Sequence, residues 1–260
     1  MMLNLTIADG IATLTLSRPP VNAINEEWLF EFNARLDELD QRRDWRVLHI
    51  RSGRKVFCAG ADLAQIRSCM DGRAGFNRMY AYVADIQRLY VRLEQLPQVT
   101  LAEIGGAAMG GGLELALACD LRIAANEAKL GLPEVGLGLI PGGGGTQRLT
   151  RMCGPAVASR LILGAETVNG STARELGLVQ WAVPRADLAD EAAKIAGRVA
   201  ALPGAALAAA KACIAAAGEP GRGGYTDELE ATYGLLSDAE TRARVAAFFT
   251  ESVPGPVRNR

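Results

Sequence analysis

The stretch that most restricts the fold and chemistry of this chain reads Met109-Gly110-Gly111-Gly112-Leu113-Glu114-Leu115-Ala116. A second glutamate follows twenty positions later, in Leu132-Pro133-Glu134-Val135-Gly136-Leu137-Gly138. Burying a carboxylate in apolar surroundings costs several kcal/mol unless the group is paired or neutralised. Two glutamates within glycine-rich, apolar sequence therefore predict a carboxylate pair that faces one cavity, holds one water molecule and divides the acid and base roles.

Apolar runs and helical periodicity surround these two stretches. Residues 3–7 and 11–16 flank Asp9-Gly10 and predict a hairpin, and Asn25 is expected to cap a helix that continues to about Asp40. Short strands that alternate with helices predict an α/β fold. The pattern predicts further strands over residues 47–51, 55–62, 99–104, 121–124, 129–131 and 179–183, helices over 79–96, 110–119, 146–153, 155–164, 172–175 and from 188 onward, and a loop or frayed helix over 66–76.

The composition suggests where the chain divides. Its 260 residues are enough for one large domain, or for a main domain with a small appendage. The composition shifts near Pro203-Gly204, within an alanine-rich part of the chain whose apolar residues keep helical spacing. We therefore expect a main domain over residues 1–203 and a C-terminal helical region over residues 204–260.

The sequence contains few of the residues that several common kinds of catalytic site require. The single histidine, His49, lies in a run that is typical of a strand, which leaves little support for a Ser-His-Asp or Cys-His arrangement. The five cysteines contain no C-x-x-C pair, so neither a zinc site nor a dithiol redox motif is expected. Residues 142–146 lack the lysine of a phosphate-binding loop. We expect no metal ion.

Charge and hydropathy restrict the partners and the compartment. The formal net charge is −1 and no block of Lys and Arg occurs, so nucleic-acid binding is not expected. The N-terminal residues match neither a secretory signal nor a transit peptide, and no run of 18 apolar residues predicts a membrane span. Scattered thiols in odd number favour a reducing compartment. A cytoplasmic protein is the resulting expectation.

Three ordered motifs extend the pattern of the two glutamates. They are Cys58-Ala59-Gly60-Ala61-Asp62-Leu63, Gly110-Gly111-Gly112-Leu113-Glu114-Leu115-Ala116, and the segment from Pro133 to Leu149. With Arg18-Pro19 and Asn22-Ala23-Ile24-Asn25, they make the chain resemble the crotonase (enoyl-CoA hydratase/isomerase) superfamily. The resemblance implies a spiral of ββα turns, C-terminal helices that help to assemble a homotrimer or homohexamer, and an acyl-CoA thioester as substrate. Coenzyme A would arrive as part of the substrate, and no separate cofactor is implied.

The resemblance also implies roles for individual residues. The backbone N–H groups of Ala61 and Gly111 would form an oxyanion hole that stabilises an enolate on the thioester oxygen. Glu134 would be the acid that protonates the α carbon, and Glu114 would help to activate the water that adds at the β carbon. Further substrate contacts are implied for Ala59, Gly60, Asp62, Leu63, Gly110, Pro133 and Gly142.

The chain departs from the family pattern near its C-terminus. Phe248-Phe249 is followed by Thr250-Glu251-Ser252, so a lysine that commonly meets the phosphates of coenzyme A in this family is absent. Three other cations are candidates for that task, namely Arg18, Arg54 and Lys55. The apolar residues of segment 66–82 are expected to shape the acyl pocket, in particular Met70, Phe76, Met79 and Tyr80.

More than one function stays open at this point. Hydration of a trans-2-enoyl thioester is the leading hypothesis, because both glutamate positions of the hydratases are filled. Double-bond isomerisation, or hydration of a branched or cyclic acyl group, is the second. An RNA-binding protein and a non-catalytic member are the alternatives of another class. Filter binding at two salt concentrations would detect the former, and the intact glutamate pair argues against the latter.

Overall fold

The computed structural model describes residues 1–217 and 223–251, which form strands, α-helices and two short 3₁₀ helices, Glu134–Leu137 and Arg185–Asp187. The strands are β1 (Leu3–Ala8), β2 (Ile11–Leu16), β3 (Val47–Ser52), β4 (Val99–Ile104), β5 (Ala108–Met109), β6 (Leu121–Ala125), β7 (Lys129–Gly131), β8 (Thr167–Asn169) and β9 (Trp181–Val183). The α-helices are α1 (Glu26–Asp40), α2 (Leu63–Ser68), α3 (Gly72–Gln95), α4 (Gly111–Leu117), α5 (Gly145–Ile162), α6 (Gly170–Glu175), α7 (Leu188–Ala200), α8 (Gly204–Ala216), α9 (Gly224–Leu235) and α10 (Ala239–Glu251).

The main sheet has six strands in the order β1-β2-β3-β4-β6-β9. β1 and β2 form an antiparallel hairpin, whereas the later neighbours are parallel, with Leu14 opposite Ile50 and Ile50 opposite Ala102. β5, β7 and β8 form a smaller second sheet. Parallel strands need helices on their connections and are buried on both faces. The predicted α/β fold is confirmed.

Helix α1 shows how the sequence directs the packing. Asn25 caps it as predicted, because its Oδ1 accepts a hydrogen bond from Trp28 N at 2.9 Å. Trp28, Phe32 and Leu36 follow at helical spacing and are fully buried, with the Trp28 and Phe32 ring centroids 5.0 Å apart. This apolar stripe joins the core cluster that also contains the aliphatic residues of the main sheet.

Two helices occupy most of segment 66–76, where the sequence suggested a loop or frayed helix. Asp62 caps α2 by accepting a hydrogen bond from Ala64 N at 2.9 Å, and α3 begins at Gly72 rather than near Met79. In the sequence, Gly75 interrupts the helical pattern. However, a Cβ at this position would lie 2.6 Å from the Cys69 carbonyl oxygen. Glycine therefore lets the first turn of α3 pack against the backbone that follows α2. Of the two alternatives, the loop is wrong, and the helical one describes most of the segment.

Other predicted elements differ in detail. Residues 55–62 form isolated bridges, Cys58 to Ala108 and Ala61 to Ile24, instead of a strand. The two helices predicted on either side of Gly154 form the single element α5, which is kinked where Gly154 adopts φ 79° and ψ 164°. β9 begins at Trp181 rather than at residue 179. The sequence missed β5 and β8, because strands of two and three residues are too short to show an alternating pattern.

The chain divides into two compact units, Met1–Ala200 and Ala201–Arg260. The first contains both sheets and the helices α1 to α7, and the described part of the second contains α8, α9 and α10. The phosphate-binding lysine of the family is absent from the segment Thr250-Glu251-Ser252. The structure does not describe Ser252 or the side chains of Thr250 and Glu251. Within residues 1–217 and 223–251, no single helix is both long and apolar enough to span a membrane. One pair of consecutive helices reaches the required length and hydropathy only when the two helices are counted together.

Candidate active site

The first unit contains a cavity of about 840 Å³ that brings together nearly all of the predicted site residues. Both glutamates, Glu114 and Glu134, line it. Asp62 is the predicted contact that does not. The other predicted residues that line the cavity are Ala59, Gly60, Ala61, Leu63, Gly110, Gly111, Pro133 and Gly142.

Glu114 lies in the first turn of α4 and is 2% exposed. Its Oε1 accepts a hydrogen bond from Gly145 N at 2.7 Å, at the start of α5. Its Oε2 lies against Gly143, because a Cβ added there would approach this oxygen to 2.6 Å. The glycine run 142–145 therefore leaves space for the Glu114 carboxylate and also supplies an N–H group that donates to it.

Glu134 approaches the cavity from the 3₁₀ helix Glu134–Leu137. Its carboxylate lies against Gly110, since a Cβ on that residue would come within 2.8 Å of Glu134 Oε1. Gly110 also has φ 51°, a left-handed conformation that favours glycine. Glu134 Oε2 is buried and has no hydrogen-bond partner among the described residues. An unpartnered carboxylate oxygen at a cavity wall is available to bind a ligand or a water molecule.

The environment of the two glutamates favours their protonated forms. Burial, with a smaller contribution from the like charge of Glu134, raises the pKa of Glu114 from 4.5 to about 7, although the Gly145 N–H opposes the rise. Burial also raises the pKa of Glu134. The pair can therefore hold a proton near neutral pH, which acid–base chemistry requires.

Two backbone N–H groups lie close together on the cavity wall. A Cβ added at Gly111 would lie 3.5 Å from Ala61 N, and one added at Gly60 would lie 3.1 Å from Gly111 N. Gly60 has φ 93°, which turns the chain so that the Ala61 peptide faces α4. Gly111 is the first residue of α4, where N–H groups lack partners within the helix. Neither N–H donates a hydrogen bond within the described part of the chain.

Asp62 and two of the candidate phosphate-binding cations are engaged with other protein groups. Asp62 Oδ2 accepts a hydrogen bond from Arg18 at 2.8 Å, while its Oδ1 caps α2. Arg54 donates to the Ser17 carbonyl at 3.1 Å. Lys55 is exposed and has no ion-pair partner among the residues that the structure describes.

The rest of the cavity wall is apolar. α3 contributes side chains at helical spacing, and the segment after Glu134 faces them. Of the residues expected to shape an acyl pocket, Met79 lines the cavity, whereas Met70, Phe76 and Tyr80 do not and are more than half exposed. The main apolar side chains of the wall are Leu63, Ile66, Met79, Val83, Ile86, Leu137, Leu139 and Ile140.

Sequence reasoning missed a group of polar side chains on α3 that hold the backbone around the cavity. The Tyr82 hydroxyl donates to the Ile24 carbonyl at 2.7 Å, and the Tyr90 hydroxyl donates to the Gly111 carbonyl at 2.6 Å. Gln87 Nε2 donates to the Gly142 carbonyl at 2.6 Å. Glu94 binds Arg148, which donates to the Gly143 carbonyl at 2.7 Å. Their helical spacing indicates a shared face, but the carbonyl partners are distant in sequence and leave no local signal.

His49 lies on β3, as expected for a strand histidine. Its Nε2 is 2.8 Å from Glu103 Oε2 on β4, and neither residue lines the cavity. No group of three or more His, Cys, Asp or Glu side chains that could hold a metal ion occurs in the described ranges.

Comparison with known proteins supports the resemblance to the enoyl-CoA hydratase/isomerase family that the motifs indicated. The model of the family described as enoyl-CoA hydratase/isomerase matches residues 6–251. A crotonyl-CoA hydratase of Syntrophomonas wolfei is 40% identical over 195 residues, which are 74% of this chain and 72% of that protein. The solved structure of an enoyl-CoA hydratase from Bacillus anthracis has a TM-score of 0.90 at 32% identity and covers 98% of each chain.

A second solved enoyl-CoA hydratase, from Polaromonas sp. JS666, has a TM-score of 0.90 at 28% identity and covers 97% of this chain and 98% of that one. These likenesses confirm the crotonase-like fold and the enzyme class that the three motifs predicted. The chain therefore belongs to the enoyl-CoA hydratase/isomerase family.

Proposed function

We propose that this protein adds water across the 2,3 double bond of an enoyl-CoA thioester. The observation that carries the proposal is the placement of Glu134 Oε2, which is buried without a hydrogen-bond partner among the described residues, on the cavity that Glu114 also lines. Two carboxylates that share a cavity can hold one water molecule and exchange protons with it and with the substrate.

The thioester oxygen would bind between the N–H groups of Ala61 and Gly111. Attack at the β carbon places negative charge on this oxygen, so donors that are already in position stabilise the transition state more than the substrate. The first turn of α4 adds the partial positive charge of a helix N-terminus. The acyl chain would follow the apolar wall along Val83 and Met79.

The proton transfers balance within the glutamate pair. Ionised Glu114 takes a proton from the water as the water oxygen bonds to the β carbon. Protonated Glu134 then gives its proton to the α carbon of the enolate, which restores the thioester. Transfer of one proton from Glu114 to Glu134, through the next water molecule, returns the pair to its starting state. The raised pKa of each glutamate keeps a proton on the pair near neutral pH.

Double-bond isomerisation needs the same stabilised enolate but no water addition, and one carboxylate suffices to move the proton. The second carboxylate favours hydration. The test is the loss of ultraviolet absorbance of crotonyl-CoA and of longer and branched enoyl-CoAs when purified protein is added. Loss of absorbance with formation of a 3-hydroxyacyl thioester supports the proposal, and a shifted double bond without added water contradicts it.

Glu114 should also make the stability of the protein depend on pH. Its pKa is about 7 in the folded chain against an ordinary value of 4.5. Between these values, the folded chain keeps a proton that the unfolded chain has released, so stability falls as pH rises through this window. The expected loss is about 3 kcal/mol.

Glu114→Gln removes this titration. The free energy of unfolding of the variant, relative to wild type, should therefore increase by about 3 kcal/mol from pH 4.5 to above pH 7. Urea unfolding at a series of pH values measures the difference. A difference that stays constant over this range would show that the raised pKa of Glu114 is not a property of the folded protein.

We expect the protein to assemble as a homotrimer or a dimer of trimers. In the described part of the second unit, Ile214, Leu229 and Phe248 are each about two-thirds or more exposed. Each of the three helices of this part thus exposes a large apolar side chain, and burying such side chains in an assembly removes apolar surface from water. Light scattering with detection of activity across the eluted peak measures the assembly. A fully active monomer at micromolar concentration would rule out the expected assembly.

A further inference from the structure

Helix α3 carries two buried tyrosines that the proposed reaction does not use. Tyr82 is 1% exposed and Tyr90 is fully buried. They are eight residues apart, which places them on one face of the helix and about 12 Å apart along its axis. A buried phenol needs a hydrogen-bond partner, and many carbonyl groups could meet that need. In this protein the two acceptors are the carbonyl groups of Ile24 and Gly111, which belong to the backbone around the cavity.

Tyr90 holds the residue that presents one N–H group of the pair on the cavity wall. Its hydroxyl donates to the Gly111 carbonyl at 2.6 Å, and the Gly111 N–H is one of the two that lack an acceptor among the described residues. Gly111 is a glycine at the start of a helix, so its backbone has more conformational freedom than other residues. The hydrogen bond from Tyr90 restricts that freedom.

Tyr82 holds the backbone on either side of the other N–H group. Its hydroxyl donates to the Ile24 carbonyl at 2.7 Å. The same carbonyl accepts Asp62 N at 2.7 Å, and Ile24 N donates to the Gly60 carbonyl at 2.8 Å. These two backbone bonds flank Ala61. Any movement of Ile24 would therefore move the Ala61 N–H.

We propose that Tyr82 and Tyr90 are positioning residues, which hold the N–H groups of Ala61 and Gly111 at a fixed separation from one rigid helix. This inference rests on the proposed function, because the separation matters only if both groups bind one thioester oxygen. Donors that are already in position are more effective than donors that must be ordered during the reaction. Because one helix holds both donors through hydrogen bonds, the donors are in position before the substrate binds.

The surroundings keep both hydroxyls in the donor state. Burial raises the pKa of Tyr82 and of Tyr90, so each keeps its proton at neutral pH. The Arg148 guanidinium lies 5.9 Å from the centroid of the Tyr90 ring, which further fixes the ring.

The test compares Tyr90→Phe and Tyr82→Phe with wild type. Each variant keeps the ring and removes only the hydroxyl. We expect kcat to fall about tenfold in each with KM nearly unchanged, which is less than the roughly 100- to 1000-fold effect of losing a donor, because the donor remains but is less ordered. The second variant keeps the test decisive if the first fails to fold.

The second readout is the infrared carbonyl band of bound butyryl-CoA labelled with carbon-13 at the thioester carbon. This saturated thioester cannot be hydrated. In wild type, the two N–H groups should move the band to lower frequency than in water, and both variants should show a smaller displacement. A purely structural role would lower stability without changing this band.

Thr100→Val is the matched control, because it also removes one buried hydroxyl. Thr100 Oγ1 donates to Asp120 at 2.9 Å and lies outside the cavity lining. This variant should lose stability but keep the wild-type kcat and carbonyl band. Wild-type kcat and carbonyl band in both tyrosine variants would overturn the inference. Failure of wild type to hydrate enoyl-CoA or to displace the band would instead overturn the proposed function.

Discussion

Glu134→Gln is expected to lower the rate of enoyl-CoA hydration by roughly 100- to 10,000-fold, the usual contribution of a positioned acid. Glutamine keeps the size of the side chain beside Gly110 but cannot give a proton to the α carbon. Binding of butyryl-CoA should change little, because the N–H groups that would hold the thioester oxygen belong to the backbone of Ala61 and Gly111. Steady-state hydration kinetics and equilibrium binding measure the two effects separately.

Glu127→Gln is the control for this variant, because Glu127 is exposed and does not line the cavity. It should keep the wild-type rate. Glu114→Gln should also impair hydration, since an amide accepts the proton of water poorly. The double variant should lose less than the product of the two single losses, because groups that act on one water molecule behave as a unit. Hydration at the wild-type rate by either single variant would contradict the shared-water mechanism.

Gly111→Pro is expected to lower kcat by roughly 100- to 1000-fold, the usual effect of removing one donor from an oxyanion hole. Proline has no N–H group, whereas its fixed φ suits the first position of a helix, which Gly111 occupies. The variant therefore removes the donor at a position where proline is commonly tolerated. Circular dichroism checks that the variant is folded, and hydration kinetics measure the loss.

Gly111→Ala is the matched control for the proline variant. It adds a Cβ but keeps the N–H group. The atoms nearest to that Cβ would be the flexible end of Ile24 at 3.2 Å and Ala61 N at 3.5 Å, and the second distance is an ordinary van der Waals contact. We expect a much smaller loss of kcat than for proline. Equal losses in the two variants would mean that the added volume, and not the missing donor, impairs the enzyme.

The sequence predicted the parts of the site that lie within short motifs. Glu114 and Glu134 could be found because charged residues are unusual in glycine-rich apolar sequence, and the structure places both on one cavity. The glycines around them have a spatial reason, since side chains at Gly110 and Gly143 would occupy the space of the two carboxylates.

The contacts that hold the site from outside could not be predicted in the same way. Tyr90 reaches a carbonyl 21 residues away, and Tyr82 reaches one 58 residues away. On the sequence, both residues are simply apolar positions of a helix. Asp62 is a similar case, because its motif implied a substrate contact but gave no sign that its carboxylate binds Arg18 and caps α2.

The mass of the product shows whether this enzyme adds water to its substrate, as we propose. Crotonyl-CoA and longer enoyl-CoAs would be incubated with wild-type protein in water enriched in a heavy oxygen isotope, and the thioester products weighed by mass spectrometry. The proposed hydration predicts a product heavier than the substrate by one molecule of labelled water, with the label in a hydroxyl group on the β carbon. A product with the mass of the substrate and a displaced double bond would contradict it.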